Sequence, residues 1–193
     1  MRKHSRIQLF PTLIYDVECP ELIDDVLKEF SKVKWKDDWA NINDTVFTLD
    51  NNKTLVKKIE NIVNETLSEI EYTVPLKMST SWFTRIPPGA IGRNHYHTNS
   101  FYSGIFYFQD DNSKLVVAKE LPQIHVPFKT TDFGLVAAGD IAIKADKGHM
   151  VLIPGDIRHH IEKNFKGENR NSLAMNFMPI GLCYSEDSSY NYK

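Results

Sequence analysis

The sequence predicts one mainly β domain with flanking helices, built as an antiparallel sandwich or barrel. From about Thr73 onward, short segments rich in Val, Ile, Phe and Tyr follow one another without a helical pattern between them. Turn residues separate these segments, and two amphipathic helical patterns precede them. A chain of 193 residues is long enough for one domain with a substantial core.

Both helical patterns lie in the first third of the chain. In PELIDDVLKEFSKV the apolar residues recur at three- and four-residue steps, and Pro20 suits the first helical position. The same spacing runs through NKTLVKKIENIVNETLSEI, where Asn51 or Asn52 can cap the first turn. Each helix needs a surface against which to bury its apolar stripe. We therefore expect residues 1–75 to form a helical support region for the β segments.

The later segments have the composition of strands and are separated by turns such as Pro87-Pro88-Gly89 and Pro154-Gly155. The predicted strands are LKMSTSWFTRI, SGIFYF, KLVVA, QIHVPF, DIAIKA, HMVLIPGDI and NSLAMNF. Many short strands without intervening helices favour antiparallel pairing.

Composition excludes several classes of protein. The net charge of −2 favours neither nucleic acid nor an anionic membrane as a partner. Cys19 and Cys183 are far apart and lack metal-ligand spacing, which argues against a disulfide scaffold and suits a reducing cytosol. No apolar run approaches the roughly 20 residues that span a bilayer. We therefore expect a cytoplasmic protein.

The histidines carry the strongest chemical signal. His95 and His97 point to the same side of an extended segment, so both can reach one metal ion. His159 and His160 follow about sixty residues later. They face opposite ways on a strand, so at most one joins the same centre. Imidazole ligands suit Zn, Cu, Fe or Ni, although an isolated His-x-His pair is a weak signal.

Arg170 opens a predicted strand eleven residues after His159. A buried arginine on that strand requires an anionic partner, and the carboxylate of a ligand is one candidate. A surface arginine in the turn GENRNS is equally consistent with the composition.

Two separate motifs resemble those of the iron(II)- and 2-oxoglutarate-dependent oxygenases. HYHTNSFYSGIFYF is similar to the H-x-H-x-N-S motif of a bacterial and phage group, some of whose relatives are prolyl hydroxylase-like. GHMVLIPGDIRHHI followed by RNSLAMNF is similar to the family's later pattern. The resemblance implies a double-stranded β-helix (jelly-roll, cupin-like) core over residues 76–178. The composition of the last residues, YSEDSSYNYK, predicts a polar and mobile tail, so residues 179–193 complete a single domain, 1–193.

The resemblance also implies roles for individual residues. His95 corresponds to the first iron ligand and His159 to the distal ligand, while His97 occupies the place where most of the superfamily carries Asp or Glu. Arg170 would pair with the distal carboxylate of 2-oxoglutarate, and Tyr107 would hydrogen-bond to the same group. Fe(II) and 2-oxoglutarate are the cofactors implied.

The missing carboxylate is the main departure from the family pattern. Three imidazoles would leave the centre one charge unit more positive and weaken discrimination against Zn and Cu. In an alternative arrangement, His97 is the first metal ligand and Asn99 takes the position of the acid. His95 then lies behind these two residues and does not bind the metal itself. Asp156, in the turn before His159, is less suited to supply a carboxylate.

The function expected is hydroxylation of an unidentified small-molecule or peptide substrate, with a protein or peptide side chain as the first expectation. Six residues near the mouth of the site are candidates for binding a peptide or an aromatic molecule, although for each one alone the ordinary role is a place in the core or rim of the barrel: Trp82, Phe83, Arg85, Tyr96, Phe101 and Tyr102. Two alternatives remain at this point. One is a cupin-type three-His metalloenzyme that does not use 2-oxoglutarate, and the other is a non-enzymatic β-sandwich binding module.

Overall fold

The structure is a computed structural model that describes residues 12–36, 42–70, 74–110, 113–118, 140–144, 146–185 and 187–193. Its helices are α1 (Ile23–Phe30), which continues a 3₁₀ turn at Pro20–Leu22, and α2 (Lys53–Thr66), which ends in a 3₁₀ turn at Leu67–Ile70. Its strands are β1 (Tyr15–Glu18), β2 (Leu76–Ile86), β3 (Tyr102–Tyr107), β4 (Lys114–Ala118), β5 (Asp140–Lys144), β6 (His149–Pro154), β7 (Arg158–Ile161), β8 (Arg170–Pro179), β9 (Gly181–Ser185) and β10 (Ser188–Tyr192).

The strands form two facing sheets and a terminal hairpin. The larger sheet has the order β1-β6-β3-β8-β2, the smaller has the order β5-β4-β7, and β9 pairs with β10. Every one of these pairings is antiparallel. The predicted class, mainly β with flanking helices, is confirmed.

One face of the larger sheet packs against the helices. Phe106 and Leu173, on adjacent strands, are fully buried there together with Val26 of α1 and Ile59 of α2. Because side chains alternate along a strand, this face takes every second residue of β3 and β8. The helices thus cover one side of the sheet and leave the other to the functional side chains.

The opposite face of the larger sheet meets the smaller sheet. Ile105 and Val151 pack there against Leu115 and Val117 of β4. Several polar or aromatic residues occupy the same face, as their register with Ile105 shows: Trp82, Ser103, Ser172 and Asn176. This inner face is where the site lies.

Local sequence signals explain the helix boundaries. The side chain of Asn52 accepts a hydrogen bond from the backbone N–H of Leu55 at 3.1 Å, so Asn52 rather than Asn51 is the N-cap of α2. Pro20 begins the 3₁₀ turn that leads into α1, as expected from its lack of an N–H.

Two elements were not predicted. Strand β1 pairs with β6 at the edge of the larger sheet, within the region expected to be helical support. Residues 181–185 and 188–192, which lie in the expected polar tail, form the hairpin β9–β10, whose strands register Tyr190 opposite Cys183. The predicted strand QIHVPF lies outside the described residues, as do His4 and His125.

Cys19 and Cys183 are both free thiols. Within the part of the chain that the structure describes, no helix is long and apolar enough to cross a membrane.

Candidate metal centre

A short antiparallel pairing joins the two histidine segments. The backbone N–H of His95 donates to the carbonyl of His159 at 3.0 Å, and the N–H of His159 donates back at 2.9 Å. Two residues on, the N–H of His97 donates to the carbonyl of Gly155 at 2.9 Å. These hydrogen bonds hold together two segments that are about sixty residues apart in sequence. The two segments meet at the open end of the space between the two sheets.

Gly155 permits this close approach. A Cβ atom at position 155 would lie 2.0 Å from the carbonyl oxygen of Ser100, which no side chain tolerates. The N–H of Gly155 also donates to the carbonyl of Phe101 at 3.1 Å. The Pro-Gly turn therefore holds the loop that follows His97 as well as His97 itself.

Three imidazoles converge at this point. The ligand atoms of His95, His97 and His159 all lie within 4.8 Å of one another. The Nε2 atoms of His97 and His159 are 3.3 Å apart. Two nitrogens bound to one ion at about 2.1 Å lie roughly 3.0 Å apart at a right angle and roughly 3.4 Å apart at a tetrahedral angle. The spacing of these two atoms therefore fits two ligands of a single metal ion.

Hydrogen bonds set the tautomers of two of the rings. The Nδ1 atom of His95 lies 2.8 Å from the carbonyl oxygen of Arg93, and the Nδ1 atom of His159 lies 2.9 Å from that of Ile157. A carbonyl only accepts, so Nδ1 must carry the proton in each ring. Both Nε2 atoms then have a lone pair available for a metal.

Burial keeps the two inner imidazoles neutral. It is the main reason that the pKa of His97 falls to about 3, with smaller lowering contributions from His159 and His95. Burial likewise lowers the pKa of His159 to about 4. Neutral imidazole is the form that binds metals, so at neutral pH neither ring must lose a proton to act as a ligand.

These shifts predict a pH-dependent stability. In the unfolded chain both histidines bind a proton near pH 6.5, whereas in the folded protein they do so only near pH 3 to 4. The unfolded state therefore binds more protons between pH 6.5 and pH 4, and the stability of the metal-free protein should fall as pH falls through that window. Urea unfolding midpoints at pH 7.5, 6.5 and 5.5 measure this. We expect the unfolding midpoint of His97→Gln to depend less steeply on pH than that of the wild type. An equal pH dependence in the two proteins would contradict the lowered pKa of His97.

Arg170 and Tyr107 meet on the inner face. Arg170 is 4% exposed and Tyr107 is 1% exposed, and the guanidinium carbon lies 5.0 Å from the centre of the Tyr107 ring. Arg170 begins β8, whose alternate residues lead along the same face to Ala174 and Asn176. A deeply buried guanidinium beside a phenol is an environment suited to a carboxylate.

The structure separates the two adjacent histidines of β7 as expected from strand alternation. His159 lies opposite Val117, which belongs to the core between the sheets, whereas His160 lies opposite Val116 on the other face. Among the described residues, no Asp, Glu or Cys joins the three histidines in a metal-binding group. Asp156 is exposed.

The aromatic residues expected at the mouth divide between two places. Trp82 stacks on the His97 ring with 5.5 Å between ring centroids. Phe83 and Tyr102 lie in the core on the helix side of the sheet, which is the ordinary role for aromatic residues of a barrel. Of the others, Phe101 and Tyr96 are exposed. The Arg85 guanidinium lies over the ring of Trp35 at 4.5 Å.

Sequence reasoning missed Asn176, which hydrogen-bonds to His97 through its side chain. Its signal was the asparagine of RNSLAMNF, which lies on the same strand face as Arg170. The pattern indicated a strand residue, but only the folded register brings it to His97.

A family model described as "Putative 2OG-Fe(II) oxygenase" matches residues 80–176, which include all three histidines, Tyr107 and Arg170. No curated protein matches the sequence significantly. Solved structures resemble the fold. HygX from Streptomyces hygroscopicus, with nickel, 2-oxoglutarate and hygromycin B bound, superposes with a TM-score of 0.60 at 9% identity, covering 87% of this chain and 83% of HygX.

Two further structures support the same architecture. The carbocyclase SnoK from nogalamycin biosynthesis gives a TM-score of 0.62 at 11% identity, covering 88% of this chain and 81% of SnoK. A Pseudomonas putida prolyl-4-hydroxylase gives 0.53 at 14% identity, covering 88% of this chain and 94% of that protein. At such identities the likeness concerns the fold, which is the double-stranded β-helix expected from the motifs.

Proposed function

The chain belongs to the 2OG-Fe(II) oxygenase family, and from that premise we propose that His95, His97 and His159 hold Fe(II) while Arg170 and Tyr107 hold 2-oxoglutarate. The family match makes the protein an enzyme that uses both cofactors. The convergence of three imidazoles on one point is the observation that supports this ligand set.

The donor set fits the metal. Imidazole is a common ligand for iron, and His95, His97 and His159 would hold Fe(II) through three neutral nitrogen atoms. His95 and His159 already have the Nδ1–H tautomer that presents Nε2. The centre differs from the 2-His-1-carboxylate arrangement in lacking a carboxylate among the described residues. Its net charge with Fe(II) is therefore more positive, and we expect Zn and Cu to compete more effectively for it.

Arg170 fits the cosubstrate. Its planar guanidinium forms two parallel hydrogen bonds to a carboxylate, which an ammonium group does not. Burial of Arg170 strengthens that pairing, and the adjacent Tyr107 restricts the guanidinium on one side. A dicarboxylate held there at its distal end would direct its other end along β8 toward the three histidines.

When bound, iron and 2-oxoglutarate supply the oxidation of an unactivated C–H bond with O₂. The chain's own residues bind and orient. The imidazoles of His97 and His159 stay neutral because they are buried, and Trp82 covers one side of His97. The apolar cluster around Ile105 and Val117 excludes water from the space behind the site.

We propose hydroxylation as the reaction, with a small molecule or a protein or peptide side chain as substrate. HygX is solved with hygromycin B, and a prolyl-4-hydroxylase shares the fold, so both substrate classes occur on this architecture. We further propose that residues 1–193 act as one domain, in the cytoplasm of a bacterium or of a phage-infected cell.

A three-His metalloenzyme of the cupin type would share the metal centre but would not need Arg170. The family match and the buried guanidinium both favour the oxygenase. The proposal is tested by anaerobic titration with Fe(II) and 2-oxoglutarate, because only the oxygenase requires both components for a joint visible absorption.

A further inference from the structure

A cavity of about 340 Å³ lies at the end of the larger sheet, where the terminal hairpin begins. Its walls are the segment 74–76 at the start of β2, the end of β8 with the hairpin, and the loop 99–101. None of the described residues that line it is Asp, Glu, Lys, Arg or His. A charged group would lose its hydration there without gaining a charged partner, so the cavity suits an uncharged apolar group.

The hairpin supplies one wall of the cavity. Cys183 pairs with Tyr190 and Gly181 pairs with Tyr192, so these four residues share one face of the hairpin. A Cβ atom at position 181 would lie 3.5 Å from Cγ1 of Val74, so this face is turned toward the segment 74–76. The hairpin therefore closes over the start of β2, and Cys183 and Tyr192 line the space between them.

The loop that follows His97 supplies the wall that leads to the proposed metal centre. The N–H of His97 donates to the carbonyl of Gly155 at 2.9 Å, and the N–H of Gly155 donates to the carbonyl of Phe101 at 3.1 Å. Ser100 and Phe101 both line the cavity. The Ser100 hydroxyl also lies 3.0 Å from that of Ser103 on the inner face of the sheet. One short loop, held by hydrogen bonds, therefore joins the cavity to a proposed metal ligand.

Most of the cavity is built outside the region that the family model matches. That region is residues 80–176, whereas six of the nine residues that line the cavity precede or follow it. The three histidines and Arg170 all lie within it. Because function on a shared fold varies through the segments around the core, a cavity built from such segments is suited to selecting a substrate.

Exposed aromatic rings extend the apolar surface beyond the cavity. Phe101 lines the cavity and is 42% exposed, and Tyr190, 64% exposed, packs edge to face against Tyr192 with 4.6 Å between ring centroids. The cavity volume is near the lower end of the roughly 300–1,000 Å³ of small-molecule sites. A small cavity with an exposed apolar rim favours a peptide that inserts one side chain over a small molecule enclosed on all sides.

We propose that the cavity binds a large uncharged side chain, such as that of Phe or Leu, of a peptide substrate whose neighbouring residue is presented to the metal centre. The statement deepens the proposed function, and its second part rests on that function. Binding in the cavity itself requires neither iron nor 2-oxoglutarate, since no residue proposed to hold either of them lines it.

Metal-free protein labelled with methyl-carbon-13 methionine reports binding through Met178, which lines the cavity. The probes are the peptide amides Ac-Gly-Phe-Gly and Ac-Gly-Glu-Gly, which differ only in the central side chain. The Phe peptide should shift the Met178 methyl resonance saturably and bind at least about 10-fold more tightly than the Glu peptide, because burial favours a large apolar side chain and disfavours an unpaired carboxylate. Equal affinities, or no shift with the Phe peptide, would overturn the proposal.

Val74→Lys places an ammonium group at a half-buried position in the cavity wall. It should bind the Phe peptide at least about 10-fold more weakly than the wild type and the Glu peptide more tightly. Leu182→Lys is the matched control, because it introduces the same charge on the opposite face of the hairpin, at a residue that is 56% exposed. The control should keep both wild-type affinities, and equal losses in the two variants would contradict binding in the cavity.

Cys183 gives a readout that needs no substitution. Its half-buried thiol lines the cavity, whereas Cys19 is 1% exposed, so N-ethylmaleimide should alkylate Cys183 first in the folded protein. The Phe peptide at about ten times its dissociation constant should slow this alkylation roughly 10-fold by occupying the cavity, and the Glu peptide at the same concentration should not. Unchanged alkylation with the Phe peptide would overturn the proposal, whether or not Val74→Lys folds.

Co(II)-loaded protein separates this proposal from the proposed function. Paramagnetic Co(II) at the three histidines should broaden the resonances of the bound Phe peptide. Binding of the peptide without any such broadening would overturn the placement of the cavity beside the metal centre. Failure of the wild-type protein to bind Co(II) would instead count against the metal centre, while the Met178 and Cys183 readouts would still decide whether the cavity binds the side chain.

Discussion

Replacing His159 by alanine is expected to weaken Fe(II) binding by more than about 100-fold, because loss of a direct ligand costs more than the 10- to 100-fold typical of an outer partner. His159 is 4% exposed and its Nε2 atom faces that of His97. The measurement is anaerobic Fe(II) binding by titration calorimetry, with thermal unfolding recorded to establish that the variant is folded.

His160→Ala is the control for this substitution. His160 is adjacent in sequence and on the same strand, but it lies on the opposite face of the sheet. We expect its loss to leave Fe(II) affinity at the wild-type value. Equal losses in the two variants would contradict the choice of His159 as the ligand, and retention of affinity in His159→Ala would contradict the three-His centre.

Replacing Arg170 by alanine is expected to raise the dissociation constant for 2-oxoglutarate at least about 30-fold while Fe(II) affinity stays unchanged. Truncating one member of a buried charge pair costs about 2–5 kcal/mol, and about 2 kcal/mol corresponds to that factor. Calorimetric titration of 2-oxoglutarate into the Fe(II)-loaded protein without O₂ measures it.

Two further arginine substitutions sharpen this result. Arg170→Lys keeps the charge but loses the planar fork, so its affinity should lie between those of the wild type and the alanine variant. Arg85→Ala removes a guanidinium that stacks on Trp35 instead, and it should bind 2-oxoglutarate normally. Unchanged 2-oxoglutarate affinity in Arg170→Ala would show that the cosubstrate binds elsewhere or is not used.

The sequence predicted those parts of the fold that have a local physical signal. The apolar spacing of Leu55, Ile59 and Val63 identified α2, and β2 agrees residue for residue with the predicted strand LKMSTSWFTRI. Strand β1 was missed because it has only four residues. An alternating pattern that short does not distinguish a strand from the loop before a helix. The β9–β10 hairpin was missed because most of its residues are exposed, including Leu182, Tyr184 and Tyr190, so no buried face marks the strands.

The same distinction between features with a local sequence signal and features without one applies to the site. His95 and His97 were identified together because strand alternation is local, and the motif that contains Arg170 lies on one strand. The contact between Asn176 and His97 joins β8 to a distant loop, so it depends on sheet register, which sequence spacing does not determine. The sequence already indicated that the carboxylate is missing from the motif, because His97 stands in its place, and among the described residues no carboxylate joins the three histidines in the fold.

Anaerobic titration of the wild-type protein with Fe(II) and 2-oxoglutarate, followed by visible absorption, tests the central claim most directly. A weak charge-transfer band that requires both components, saturates at one equivalent of each, and is lost in His159→Ala is the predicted result. Absence of the band at saturating concentrations of both, in protein shown to be folded, would contradict the claim that these residues hold iron and 2-oxoglutarate together.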